Sequence, residues 1–247
     1  MTDQWALVAL VLVSHSQQLA EGAAQVAAQM APGVRILPAG GTDDGGLGTS
    51  FDRVEAAVRE ATAGGGSVVV LTDLGSAVLT AESVLEAADP ATADRVRIAD
   101  APFVEGAVAA AVTAHGGADV DQVLASAQAA GRTFGPVGTT TAPDTAPEVV
   151  PGGATEPVVA PDGSVRATTV LRNPLGLHAR PAALMVRMLA AFDAKVQVNG
   201  VNAASVLELM KLGAVKDDVL VVTAQGPQAA EAVRRLVADV EAGFGEV

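Results

Sequence analysis

The sequence predicts an α/β protein of two unlike domains on one chain, and three observations carry the prediction. Over residues 1–131, short continuous apolar runs alternate with amphipathic stretches, as expected of a mostly parallel sheet with helices on both faces. Residues 132–164 lose that periodicity and hold Pro136, Pro143, Pro147, Pro151, Pro157 and Pro161 among Gly, Thr and Ala. That composition predicts an extended, mobile tether. Over residues 165–247 the order strand, helix, strand, short strand, helix, strand, helix suits a smaller α+β sandwich, an open sheet with helices on one face.

The first domain opens on the apolar run 6–13, which fits a strand buried on both faces, and Ser14-His15-Ser16 ends it. Leu19, Ala23, Val26, Ala27 and Met30 recur at helical spacing until Pro32-Gly33 stops the helix. A short strand at 34–37 leads into a flexible Gly-rich loop at 40–48. Phe51, Val54, Ala57, Val58 and Ala61 mark the next helix, which Gly64-Gly65-Gly66 closes. A third buried strand at 68–71 runs into Thr72-Asp73-Leu74-Gly75-Ser76. A helix to about residue 88, a strand at 96–99 and helices over 103–114 and 120–130 complete the domain.

In such sheets the chemistry gathers beyond the carboxyl ends of the strands. His15 ends the first strand, the Gly-rich loop the second and Asp73 the third, so all three fall on one edge. Asp73 is expected to accept a hydrogen bond from one imidazole nitrogen of His15, leaving the other free to attack phosphorus. The plainer reading makes His15 a helix cap or a local hydrogen-bonding group and Asp73 a helix N-cap; the residues alone leave both open. The loop matches neither the Walker A pattern nor the dinucleotide fingerprint, and the adjacent Asp43 and Asp44 would repel a nucleotide without Mg²⁺. A rim to the His15 site is the better reading of it.

In the second domain, strands are expected at 165–171, 195–198, about 201–203 and 219–223, with helices at 179–191, 205–212 and 227–242. Gly200 marks the turn between the middle strands. Asn173-Pro174 and Gly176 are turn punctuation, and Leu184, Met185, Met188 and Leu189 follow at helical spacing, so a helix starts near His178. Pro181 suits its first turn. His178 therefore sits among unpaired backbone N–H groups with Arg180 two residues on, an anion site built around an imidazole. A ring nitrogen can attack phosphorus and carry the phosphoryl group, and N–H groups and a guanidinium can steady its oxygens. The helix-end contribution of about 0.3–1 kcal/mol would tune a reversible carrier without trapping the phosphate. Spacing alone serves equally well for a capping His beside a surface Arg.

Ser205-Val206-Leu207-Glu208 is a capping-box pattern. Leu207 and Met210, at i and i+3, read as an exposed docking patch or as core. His115, before Gly116-Gly117, reads as a solvated residue at a helix end. The three His show no metal-ligand spacing, so neither a metal nor any other cofactor is expected.

The formal net charge of −13 argues against general binding to nucleic acid or an anionic membrane. The charge is uneven: 16 acidic and 5 basic residues in 1–131, against 8 and 9 in 165–247. The absence of Cys removes disulfides and thiolate chemistry and is compatible with the cytoplasm. The run 6–13 is too short to span a bilayer and lacks the flanks of a signal peptide.

Gly176-Leu177-His178-Ala179-Arg180-Pro181-Ala182 resembles the active-site signature of HPr, the histidine phosphocarrier of the bacterial sugar phosphotransferase system. The stretch from Ala204-Ser205-Val206-Leu207 through Met210-Lys211-Leu212-Gly213 resembles the second HPr helix. The likeness covers roughly the last third of the chain. It implies an HPr-like fold, phosphorylation at His178, phosphate stabilisation by Arg180, and docking of partners at Leu207 and Met210. It also aligns Ser205 with a serine that a regulatory kinase modifies in some HPr lineages, although capping remains the preferred reading.

Val11-Leu12-Val13-Ser14-His15-Ser16, Asp73-Leu74-Gly75-Ser76-Ala77 and Ala101-Pro102-Phe103-Val104-Glu105-Gly106 resemble the mannose-type IIA domain over about residues 5–131. The version they resemble is that of the phosphocarrier subunit of phosphotransferase-dependent dihydroxyacetone kinase. That resemblance implies phosphorylation of His15 and dimerisation through the first domain. Some relatives carry an enzyme I-like segment after HPr; this sequence stops at Val247, so a separate enzyme I is expected to supply the phosphate.

The expected function is a relay from phosphoenolpyruvate through enzyme I to His178, then His15, then ADP held by the nucleotide-binding subunit of the kinase. The ATP so formed would phosphorylate dihydroxyacetone on a partner subunit. A IIA–HPr fusion serving a mannose-type permease, and a regulatory protein whose phosphorylated domains bind a target, are the alternatives. A tether of about 30 residues would raise the concentration of one domain at the other to roughly millimolar.

Overall fold

Every residue of Val8–Ser14 (β1) is buried, because this strand lies inside a parallel sheet covered on both faces. In the computed structural model of the chain, which describes residues 6–131, 156–160 and 162–246, two units divide at Gly131 and Arg132. In the first, β1 is joined by Ile36–Gly40 (β2), Ser67–Thr72 (β3) and Val96–Ile98 (β4) in the order β2-β1-β3-β4, all parallel.

The alternation of side chains along β1 divides the core. Ala9, Val11 and Val13, with Val68 and Val70 of β3, pack against the helices Phe51–Thr62 (α2) and Gly75–Ala87 (α3) through Val54, Val58, Ala61, Ala77, Ala81 and Val84. In chain order the helices are Gln17–Met30 (α1), α2, Gly75–Ala87 (α3), the single turn Pro90–Ala93 (α4), Phe103–His115 (α5) and Val120–Ala129 (α6). The α1, α5 and α6 helices pack on β1, β2 and β3. The α5 helix is buried continuously from Gly106 to Val112, which explains its unbroken apolar run.

Two expectations are corrected here. The second strand lies at Ile36–Gly40 and not at 34–37, and it contains Pro38. It is an edge strand, where a residue without an N–H is tolerated. His115 is not solvated: it is half-buried, and its Nδ1 accepts the Gly33 N–H at 3.3 Å. The turn α4, which sequence periodicity did not find, has Asp89 as its cap and Pro90 in first position.

The second unit holds a five-stranded antiparallel sheet. Its strands are Val158–Val159 (β5), Val165–Val170 (β6), Lys195–Val198 (β7), Val201–Asn202 (β8) and Val219–Gln225 (β9), ordered β5-β6-β9-β7-β8. Leu220, Val222 and Ala224 are buried while their neighbours on β9 are not, the alternation of a sheet covered on one face. Ala179–Leu189 (α7), Val206–Lys211 (α8) and Ala229–Glu241 (α9) supply the cover, with α9 across β6, β9 and β7. Asn199 and Gly200, both at positive φ, make the two-residue turn between β7 and β8.

Val158 and Val159, assigned to the tether by composition, instead pair with Arg166 and Val165. The Ala160 N–H donates to the Ser164 carbonyl at 2.8 Å, which turns the chain back to form this exposed edge. Most of the expected tether, residues 132–155, lies outside the described residues.

Candidate functional site

The pairing of β1 with β3 brings Val13 opposite Thr72, so His15 and Asp73 emerge from neighbouring strand ends. His15 Nδ1 lies 2.9 Å from Asp73 Oδ1. The carboxylate also accepts the His15 backbone N–H at 2.9 Å, the Ser14 hydroxyl at 2.9 Å and the Leu74 N–H at 2.8 Å. Burial pushes the Asp73 carboxyl up, but hydrogen bonds from the His15 backbone, the His15 ring and the Ser14 hydroxyl, with the charge of His15, outweigh it and hold it below the usual carboxylate range. An ionised carboxylate only accepts, so Nδ1 is the protonated nitrogen and the lone pair is on Nε2.

That lone pair faces Ser76 Oγ at 2.7 Å. Ser76 lies in the first turn of α3, whose N-cap Leu74 makes no side-chain capping bond. The Gly-rich loop fastens the other side. Gly41 N–H donates to the Ser14 carbonyl at 3.0 Å and Gly48 N–H to the His15 carbonyl at 2.9 Å. A Cβ on Gly40 would stand 2.5 Å from the Ser16 carbonyl oxygen, so the strand can approach this turn only as glycine. The loop is also bound within itself, with Thr42 and Gly46 bonded to Asp44. The rim expected to be flexible is hydrogen-bonded along its length.

The second imidazole is arranged the other way round. His178 is the N-cap of α7, and its Nδ1 faces the Arg180 backbone N–H at a long 3.4 Å. Its Nε2 lies 3.2 Å from Glu246 Oε2, which also accepts from Asn173 Nδ2 at 2.8 Å. Burial raises the Glu246 carboxyl, but hydrogen bonds from Asn173 and His178 and the charges of His178 and Arg180 leave it below the usual range. Nε2 is therefore the donor here, and the lone pair is on Nδ1 at the start of α7. Gly176 holds the turn at φ +71°, where a Cβ would meet the Ala214 carbonyl oxygen at 2.4 Å.

The Arg180 guanidinium is exposed and stands 3.9 Å from Glu246 Oε1. Ser205 caps α8 by accepting the Glu208 N–H at 3.3 Å. The reciprocal half of the box is absent, because the Glu208 carboxylate takes the Asn202 N–H at 3.0 Å. Leu207 is half-buried and Met210 is exposed, while Val206 and Leu209 between them carry the packing. Among the described residues no group of three acidic or His side chains could hold a metal ion, and no helix is long and apolar enough to cross a membrane.

Sequence reasoning gave Ser76, Asn173 and Glu246 no contact with either imidazole. Ser76 stood three residues past Asp73 at a helix start, which was a usable signal. Glu246 lies 68 residues from His178, and no local pattern connects them.

The description "PTS system fructose IIA component" matches residues 9–124, and "PTS HPr component phosphorylation site" matches residues 165–242. The "PEP-dependent dihydroxyacetone kinase, phosphoryl donor subunit DhaM" of Pantoea ananatis is 38% identical over 97% of this chain and 51% of its own length. Its counterpart in Escherichia coli is 37% identical over the same shares. A shorter relative, "PEP-dependent dihydroxyacetone kinase 2, phosphoryl donor subunit DhaM" of Listeria innocua, is 39% identical over 43% of this chain and 85% of its own length. The chain thus spans about half the length of the first two relatives.

Proposed function

Since the chain belongs to the family of phosphoryl donor subunits of phosphoenolpyruvate-dependent dihydroxyacetone kinase, with a IIA domain followed by an HPr domain, we propose that it is a two-histidine phosphoryl relay. Phosphorylated enzyme I charges His178, His178 charges His15, and His15 charges ADP held by the nucleotide-binding subunit of the kinase. The observation that carries this reading is common to both sites. Each imidazole has one nitrogen engaged by a carboxylate, Asp73 or Glu246, and the opposite nitrogen's lone pair aimed at a helix start.

In the first transfer, the His178 Nδ1 lone pair forms a bond to phosphorus in line with the breaking P–N bond of the donor. The electron pair of that bond stays on the donor nitrogen. Nε2 keeps its proton, so the ring gains positive charge facing Glu246. Arg180 and the first N–H groups of α7 meet the phosphoryl oxygens. In the second transfer, His15 Nε2 attacks and the P–Nδ1 bond of His178 breaks, returning its electron pair to Nδ1. Asp73 faces the charge that develops on the His15 ring. The Ser76 hydroxyl, released from Nε2 by the new bond, turns to a phosphoryl oxygen at the start of α3. An ADP β-phosphate oxygen then attacks the phosphorus and the P–Nε2 bond of His15 breaks, returning its electron pair to Nε2; the ATP formed phosphorylates dihydroxyacetone on the partner subunit. The protein acts in the cytoplasm, and its first domain dimerises.

The test is a reconstituted transfer from labelled phosphoenolpyruvate, with enzyme I, this protein, the kinase subunits, ADP and dihydroxyacetone. Acid-labile label on both histidines that passes to dihydroxyacetone phosphate is the expected result. Label that stays on the protein would redirect the assignment to a sugar permease or a regulatory role. No label at all would overturn the phosphocarrier reading.

A further inference from the structure

A ring of hydrogen bonds in the first unit leaves His15 by its main chain and returns to its imidazole. The Gly48 N–H of the Gly-rich loop donates to the His15 carbonyl at 2.9 Å. The next residue, Thr49, places its hydroxyl 2.7 Å from that of Thr80 in α3. Thr80 Oγ1 donates to the Ser76 carbonyl at 3.2 Å, and Ser76 Oγ meets His15 Nε2 at 2.7 Å. Proton count sets the direction. A carbonyl only accepts, so the one Thr80 hydroxyl proton goes to Ser76, and Thr49 donates to Thr80. A hydroxyl bonded to the carbonyl four residues before it is ordinary in a helix, and the exposed Ser83 makes the same bond to Leu79 at 2.8 Å. Thr80 differs in accepting a bond from another element, 31 residues away. Both threonines are half-buried. Because α3 begins without a side-chain cap, the bond from Thr49 supplies an anchor that the helix start lacks.

We propose that Thr49 and Thr80 form a clasp between the Gly-rich loop and α3 that positions Ser76 at His15 Nε2. They are positioning residues, acting on the reacting nitrogen only through Ser76. The inference rests on the phosphocarrier reading of His15.

The clasp separates what must move from what must stay. As Nε2 forms its bond to phosphorus, the donor's P–N bond breaks onto the donor nitrogen. The Ser76 hydroxyl leaves Nε2, keeps its proton and turns to a phosphoryl oxygen. That exchange needs only rotation of the Ser76 side chain, provided its backbone stays where Thr80 and Thr49 hold it. Departure of the phosphoryl group reverses the rotation. A first turn of α3 free to shift by about 1 Å would take Ser76 out of reach of both positions, and a misplacement of that size can cost up to about a hundredfold in rate. The clasp is one restraint among several, since the Leu74 N–H also donates to Asp73 at 2.8 Å, so the expected loss is smaller.

The experiment uses the full chain, charged by enzyme I, as the varied phosphoryl donor to the kinase subunits with ADP and dihydroxyacetone. Thr80→Val removes the hydroxyl and keeps the branched shape. It should lower kcat about three- to tenfold and leave the KM for the charged protein unchanged. Thr49→Val should match it. Thr80→Ser keeps the hydroxyl and should hold kcat within about twofold of the wild type. In a Ser76→Ala background, Thr80→Val should add less than about twofold, because the residue through which it acts is gone. A second readout needs no phosphoryl donor: with the imidazoles labelled with ¹⁵N, the His15 Nε2 shift in Thr80→Val should move from the wild-type value toward that of Ser76→Ala. An undiminished kcat, a change confined to KM, a loss as large in the Ser76→Ala background as in the wild type, or an Nε2 shift that stays put would each overturn the proposal. If the shift moves as expected while the wild type takes no acid-labile label at His15, the phosphocarrier reading falls and the clasp stands.

Discussion

At the scale of residues, the two histidines use opposite nitrogens, and the carboxylates decide which. Asp73 takes Nδ1 of His15, and Glu246 takes Nε2 of His178. The proposed order of transfer makes unequal predictions for the two. His15→Ala should leave His178 fully chargeable by enzyme I and stop delivery to the kinase. His178→Ala should stop the charging of both; efficient loading of His15 in that variant, measured by acid-labile label, would reverse the order. Asp73 adds a dependence on pH. Its carboxyl titrates below the usual range in the folded unit, so its hydrogen bonds contribute stability above about pH 4, and that contribution is lost as pH falls through the depressed value. Urea unfolding of the wild type and Asp73→Asn, from about pH 6 to about pH 3, should show the difference in stability between them narrowing with acid. A difference that does not vary with pH would mean that the carboxylate's charge contributes nothing to the fold.

At the scale of elements, helix starts organise both sites: His178 caps α7 with its own ring, while α3 at the His15 site has no side-chain cap. Ser16 caps α1 by accepting the Leu19 N–H, and Ser50 caps α2 by accepting the Arg53 N–H. Ser205 does the same for α8, but with half the expected box, since Glu208 is committed to Asn202. Ser205→Ala should therefore cost about 0.5–2 kcal/mol, the range of an ordinary cap, as read from chemical unfolding. A loss well above that would show that the side chain does more than cap. The strand elements were less legible than the helices. The run at 34–37 was rich enough in apolar residues to suggest a strand, but pairing with β1 moved it to Ile36–Gly40, and only at an edge could it include Pro38.

At the scale of the whole molecule, the proposed relay needs His178 of one unit to reach His15 of another. The Pro-rich composition of residues 132–155 would make that encounter a matter of effective concentration, on the order of millimolar. Cutting the chain within those residues is expected to slow transfer between the histidines at low protein concentration, and raising the concentration of the separated units should restore it. An unchanged rate after cleavage would refute the tethering role. The first unit is strongly acidic and the second near neutral, so salt should alter the rate between separated units modestly.

By itself the sequence determined the alternation of strands and helices, the change of architecture near the middle of the chain and the two histidines at the ends of their elements. Those features are local: apolar period, turn residues and caps act over a few neighbouring positions. The pairing of His15 with Asp73 was also legible, because neighbouring parallel strands bring their carboxyl ends to one edge. Tertiary structure alone decided the rest. The carboxylate partner of His178, Glu246, lies 68 residues along the chain. The assignment of Val158 and Val159 to the sheet depends on β6 being there to pair with them. Hydrogen-bond direction and strand pairing belong to the groups that meet in space, and composition along the chain does not encode which groups those are.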